Sequence, residues 1–273
     1  MSEPKPPSPF LQFALELAGT VAQELIPQFG KTGTSLSSDS LIAEAKAESE
    51  RAMEELVSAR FPEHGILSEK PAMADGAPNL AEFTWVLNPI DGAASFNLGL
   101  PTFSSLVALL RNGMPLLGVV NIPALKETLY AELGYGCWYL NRMGELSKAQ
   151  VKSETQSLSE AIVSTSDVSG TDINPSPQPN SFDLSSLIQK AHTFHFIGDS
   201  IKHTLVARGM IDAAFDAEMN PWKSAAIIPC ILEAGGMISG GGGDTSNLVN
   251  AGSMVSSSSY SLHRDILETI QVD

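Results

Sequence analysis

Apolar residues along the chain predict helices at the front, strands in the middle and a mixed second half. Over residues 10–29, Leu11, Ala14, Leu15, Leu17, Ala18, Val21 and Leu25 recur at helical spacing, and Pro27 and Gly30 close the run. The Gly-, Ser- and Thr-rich stretch 31–40 offers Ser38, Asp39 and Ser40 as N-caps. A second helix is predicted over 41–60, dense in Glu and Ala and followed by Pro62. Strand-like runs follow at 66–67, 83–87, 104–110, 115–122, 128–133 and 137–140, with Asn112-Gly113 as a hairpin signal. This part reads as an antiparallel meander.

The second half is less regular. A second lobe is expected to begin near residue 160. Residues 167–185, rich in Ser, Pro, Asn and Gly, read as a surface loop. A helix over 200–209 precedes a strand at 211–215. Asn220-Pro221-Trp222 opens a helix that Gly235-Gly236 closes. Pro229 is expected to kink or divide it. Gly240 to Gly243 form a turn rather than a phosphate loop, because no Lys-Ser/Thr follows. The last helix is predicted over 261–270. No internal repeat is visible, and the order of elements suggests a layered α+β or α/β sandwich.

Composition narrows the setting. The 273 residues suit one two-lobed unit, with lobes expected at 1–155 and 156–273. The net charge of −15 repels nucleic acid backbones and anionic membranes, so neither is an expected partner. Cys137 and Cys230 form no CxxC pair or ligand cluster and read as small buried apolar groups. The polar, proline-rich start lacks a signal-peptide pattern, and no apolar run nears the roughly 20 residues of a membrane span. A cytoplasmic location is the expectation.

Three separated motifs carry chemistry. They are His64-Gly65-Ile66-Leu67-Ser68-Glu69, then Trp85 to Phe96 with Asn88-Pro89-Ile90-Asp91-Gly92 at its centre, then Trp222-Lys223-Ser224-Ala225-Ala226 followed by Glu233-Ala234-Gly235-Gly236. In order and spacing they resemble the inositol monophosphatase family, which includes histidinol-phosphate and nucleotide phosphatases. The resemblance runs from about residue 10 to the end. It implies an αβαβα sandwich, with an antiparallel sheet in the N-terminal half and a mixed sheet in the C-terminal half. It also implies a homodimer and carboxylates that hold two or three Mg²⁺ ions.

Carried over residue by residue, the family's first-motif glutamate is Glu69 and the second aspartate of its second motif is Asp91. Asn88 replaces the first aspartate, Ala93 a threonine, Lys223 the tryptophan-linked aspartate and Lys46 an upstream aspartate. The charges of Lys46, Glu69, Asn88, Asp91 and Lys223 sum to zero, a poor set for Mg²⁺. No strong metal site is therefore expected, with weak Mg²⁺ binding at Glu69, Asp91 and the Ile90 carbonyl left open. Asp91-Gly92-Ala93-Ala94-Ser95 should still turn from strand to helix and offer backbone donors to an anion. Asp216 falls where the family has a substrate-contacting acid. Asp199, Ser200 and His203 lie near its substrate-pocket segment, His203 more simply as a satisfied structural histidine.

From this the functional expectation is an enzyme without metal that acts on a small polar or anionic metabolite by elimination, cyclisation or isomerisation. Lys223 or Lys46 would be base or amine nucleophile, and Glu69 and Asp91 acid, base or orienting groups. Two alternatives stay open: a non-catalytic protein that binds a ligand or partner, and a residual one-metal phosphomonoester hydrolase. A plainer reading has Lys46 pair with Glu50 one helical turn on. Lys223 opens a helix, where a cation opposes the dipole, so it is expected to have a specific acidic partner.

Overall fold

A computed structural model of the chain describes residues 6–30, 38–69, 81–178 and 181–271. Two helices, α1 (Pro9–Leu25) and α2 (Ser38–Arg60), precede a seven-stranded sheet. Its strands are β1 (Gly65–Leu67), β2 (Phe83–Asp91), β3 (Ser104–Arg111), β4 (Met114–Ile122), β5 (Glu127–Glu132), β6 (Gly136–Leu140) and β7 (Leu146–Lys148). They lie in sequence order. β1 pairs parallel to β2 and the rest form the expected antiparallel meander. The short helix α3 (Ala93–Leu98) follows β2.

The second half holds β8 (Ile162–Thr165), α4 (Leu184–Lys190), β9 (Thr193–Phe196), α5 (Ile201–Ala207), β10 (Ala213–Asp216), α6 (Pro221–Glu233), β11 (Met237–Ser239), β12 (Met254–Ser257) and α7 (Tyr260–Ile270). The second sheet runs β11-β12-β10-β8-β9 and is mixed.

The alternation of strand residues explains the layering. On β3, Val107 and Leu109 face a core shared with Leu11, Leu17 and Val21 of α1 and Met53 and Val57 of α2. Leu106, Ala108 and Leu110 face the opposite way, into a core with Ala225, Ile227, Ile228 and Ile231 of α6 and Val206 of α5. β10 splits likewise: Ala214 joins that central core, whereas Ala213 and Phe215 pack against Leu184, Leu187, Leu262 and Ile266 of α4 and α7. The result is helices, sheet, helices, sheet, helices, the layered sandwich the sequence implies.

Several local expectations are corrected. The loop 31–37 lies outside the described residues, as do the side chains proposed as N-caps of α2. Pro229 does not divide α6, which runs unbroken from Pro221 to Glu233; every residue from Ser224 to Ile231 is buried, so packing offsets the missing backbone donor. The expected loop 167–185 ends earlier, because the Asp183 carboxylate accepts from Ser186 N and caps α4. β12 escapes sequence reading because it lies in the serine-rich run 253–259. Its serines are buried and bonded, Ser256 to His203 and Ser257 to His263.

His263 gives a testable consequence. Its ring nitrogens lie 2.8 Å from the Ser239 and Ser257 hydroxyls, and burial lowers its pKa from 6.5 to about 4. Between those values the unfolded chain binds a proton that the folded chain does not, so the stability from this site is present above pH 6.5 and is lost as pH falls toward 4. The shift corresponds to about 3 kcal/mol. In urea unfolding from pH 7 to 4.5, wild type should lose more stability than His263→Gln; parallel losses would contradict this.

Candidate active site

The site gathers where β2 ends. β2 carries an irregularity in its pairing with β3 between Asn88 and Asp91, and the Ser105 hydroxyl donates to Pro89 O at 2.7 Å. Gly92 then takes φ +87°, a conformation that favours glycine, and α3 begins. This turn places Asp91, fully buried, against the start of α5: Ser200 donates to Asp91 Oδ2 through both N (2.8 Å) and Oγ (2.6 Å).

Lys223, on the first turn of α6, lies 3.3 Å from Asp91 Oδ1. Asp91 is thus the acidic partner expected for a cation at a helix N-terminus, and it raises the Lys223 pKa. Asp199 stands beside them. Its Oδ2 accepts from Ser95 Oγ at 2.7 Å, and burial followed by the nearby Asp91 charge raises its pKa.

The sequence reading missed Lys202. It is 1% exposed, and its ammonium reaches Asp216 Oδ2 (2.8 Å), Ser166 Oγ (2.5 Å) and Asp199 O (2.9 Å). One signal was available: Lys202 and His203 sit side by side in a helix that is otherwise largely apolar. Asp216 Oδ2 also meets His203 Nε2 at 2.8 Å, and its Oδ1 accepts from Ser166 at 3.0 Å. Burial alone would raise the Asp216 pKa, but Lys202 and His203 hold it at about 2. His203, whose Nδ1 bonds Ser256 at 2.8 Å, is a satisfied buried histidine, and burial lowers its pKa.

Asp91, Ser166, Asp199, Ser200, Lys202, Asp216 and Lys223 line one small cavity of about 20 Å³, room for a water. A cleft of about 150 Å³ adjoins it, sharing Asp216, Glu218 and Lys223 and adding Thr165, Asp167, Ser169 and Asn220. The structure therefore brings together Asp91, Asp199, Ser200, Asp216 and Lys223. Lys46 and Glu69 do not line the cavity; they form an ion pair between α2 and the segment after β1, with Glu69 half exposed. Asn88 is buried, and its Oδ1 has no hydrogen-bond partner among the described residues.

The Mg²⁺ ions that the motifs imply can be tested against these residues. Among the described residues no three or more His, Cys, Asp or Glu side chains cluster as a metal cage. Asp91 is taken by Ser200 and Lys223, and Glu69 by Lys46. As arranged, the set does not fit a two-metal centre, and no step below is routed through one.

The family model for the inositol monophosphatase family matches residues 7–272. The chain belongs to the inositol monophosphatase family. Among its relatives, a histidinol-phosphatase of Chlorobaculum parvum is 33% identical, over 84% of this chain and 85% of that protein. A fructose-1,6-bisphosphatase/inositol-1-monophosphatase of Thermotoga maritima is 29% identical over 87% of each. Among solved structures, an inositol monophosphatase from Zymomonas mobilis superposes with a TM-score of 0.79 at 22% identity, covering 96% of this chain and 99% of that one, which speaks for the fold.

These relatives correct the functional expectation. The histidinol- and inositol-1-monophosphatases among them are named for phosphatase chemistry, and none of these relatives points to metal-independent elimination, cyclisation or isomerisation. The error came from reading the loss of individual carboxylates as a change of reaction. Among the described residues no helix is long and apolar enough to cross a membrane.

Proposed function

We propose that this chain is a phosphomonoesterase of the inositol monophosphatase family, acting on the phosphate ester of a small polar alcohol. The observation that carries this reading is the convergence of Asp91, Ser200, Asp216 and Lys223 on one cavity in a chain whose relatives are phosphatases. The reaction breaks the ester P–O bond, adds the oxygen of water to phosphorus and returns a proton to the leaving alcohol.

Each residue contributes by position. The Lys223 ammonium, held at the cavity by Asp91, supplies positive charge to the phosphate. Ser200, through its two bonds to Asp91, fixes that carboxylate and so the place of Lys223. The adjoining cleft presents Thr165, Ser169, Asp167 and Asn220 to the alcohol, a lining suited to hydroxyl or amine groups rather than an apolar body. The relatives that act on histidinol, fructose and inositol phosphates agree with a small polar leaving group.

Phosphate release from a panel of sugar, polyol and amino-alcohol phosphates, with and without divalent cations, tests this. Turnover of at least one ester is expected, and Lys223→Met should lower kcat/KM about 100-fold. An inert wild type across the panel would overturn the proposal.

A further inference from the structure

Asp199 has a combination of features that neither the fold nor the described chemistry requires. It is one of three non-glycine residues at positive φ among those described, at +63°. The other two, Asn112 and Lys126, sit in the turns after β3 and β4. Asp199 adopts this conformation at the cavity wall, where its backbone carbonyl is held by Lys202 and its successor Ser200 by Asp91. Its carboxylate presses so closely on Gly92 that a Cβ there would lie 2.3 Å from Oδ2. It accepts the Ser95 hydroxyl at 2.7 Å and faces a like charge, Asp91, across the same space.

This carboxylate fills space beside Ser95 that an anion larger than a water would need, next to the cavity that Lys223 lines. Lys202 and Lys223 are the two cations that line the cavity among the described residues, facing Asp91, Asp199, Asp216 and the exposed Glu218. Lys202 spends its three donors on Ser166, Asp199 O and Asp216. Lys223, in contact with Asp91 through one oxygen, is the cation left for an incoming phosphate, and the neighbouring Ser95 hydroxyl is already taken by Asp199.

We propose that Asp199 is an internal anion that competes with phosphate for the Ser95 hydroxyl and for the nearby positive charge of Lys223, and so sets how weakly or tightly this pocket holds a phosphate group. The choice of phosphate as the ligand rests on the phosphatase reading above. Binding requires the Asp199 carboxylate to swing away from Gly92 and Ser95. Glycine is an informative replacement because it suits the positive φ while removing the carboxylate. The proposal makes Asp199 a specificity-determining residue: it favours ligands whose remaining contacts in the adjoining cleft are strong enough to displace it, over inorganic phosphate alone.

Inorganic phosphate binding to the full chain at pH 7, followed by calorimetry, tests the proposal. Asp199→Asn keeps the shape and removes the charge, and Asp199→Gly removes the side chain and suits the backbone. Both should bind phosphate at least tenfold more tightly than wild type. Adding Ser95→Ala to Asp199→Asn should reverse most of that gain. Circular dichroism and urea midpoints confirm folding, and Asp199→Asn decides the case if the glycine variant is unstable. Equal or weaker phosphate binding by folded Asp199→Asn, including no binding by any variant, overturns the inference. Because the readout is binding, the inference fails or stands separately from turnover: a wild type that hydrolyses esters alongside an Asp199→Asn with unchanged affinity sinks this proposal alone.

Discussion

Replacing Lys202 by methionine is expected to cost about 3–5 kcal/mol of folding stability, because a buried charge loses its partner. Lys202 is 1% exposed and spends its ammonium on Asp216, Ser166 and Asp199 O. Methionine fills the volume but leaves Asp216 with only Ser166 and His203 inside the protein, and frees the carbonyl that fixes the Asp199 turn. The Asp216 carboxylate then sits in the interior with less compensation, and its pKa should rise from about 2. A fall in the urea midpoint at unchanged slope is the expected readout. The double variant Lys202→Met/Asp216→Asn should recover at least about 1 kcal/mol relative to Lys202→Met alone, since it removes the stranded charge. A Lys202→Met protein within about 0.5 kcal/mol of wild type, the range of an ordinary surface change, would show that water already satisfies this network.

A comparable loss is expected at Gly118, for steric reasons. Gly118 lies on β4 directly under α6, where an added Cβ would fall 2.1 Å from Ala226 O and 2.9 Å from Ala226 Cα. These are helix backbone atoms, so no side-chain rotation relieves the overlap; β4 and α6 must separate. Gly118→Val should cost about 3 kcal/mol or more, at the upper end of overpacking. The effect should also reach the site. α6 carries Lys223 on its first turn, and at its other end the Glu233 carboxylate accepts from Gly134 N (2.9 Å) and Gly136 N (2.7 Å), which ties the helix to the β5–β6 turn. Displacing α6 moves Lys223 from Asp91, so turnover by whatever Gly118→Val protein remains folded should fall with it. Retention of both stability and turnover would contradict the close approach.

Much of this was legible in the sequence where one signal was enough. The strand that ends in Asn88-Pro89-Ile90-Asp91-Gly92, the meander after it and the Pro221 start of α6 follow from local pattern and turn chemistry. That Lys223 needs an acidic partner follows from the helix dipole, and Asp91 proves to be that partner. The illegible parts depend on long-range packing. No spacing rule reveals that Lys202 points inward, because burial of a lysine is decided by Ser166 and Asp216, on segments that are distant in sequence. Direct neutralisation of Glu69 by Lys46 follows from their charges, but not that the pair stays out of the cavity lining. The serines of β12 give no apolar strand pattern, because what buries them is bonding to His203 and His263 from two other helices. Reaction type was misread for a related reason: counting lost carboxylates ignores what family membership says about the reaction.

Phosphate release in water enriched in oxygen-18 tests the central claim most directly. With the best ester from the substrate panel, hydrolysis at phosphorus predicts that the released phosphate carries one labelled oxygen and that the alcohol product carries none. Release of unlabelled phosphate with an unsaturated or cyclised product, or no release at all, would contradict the account.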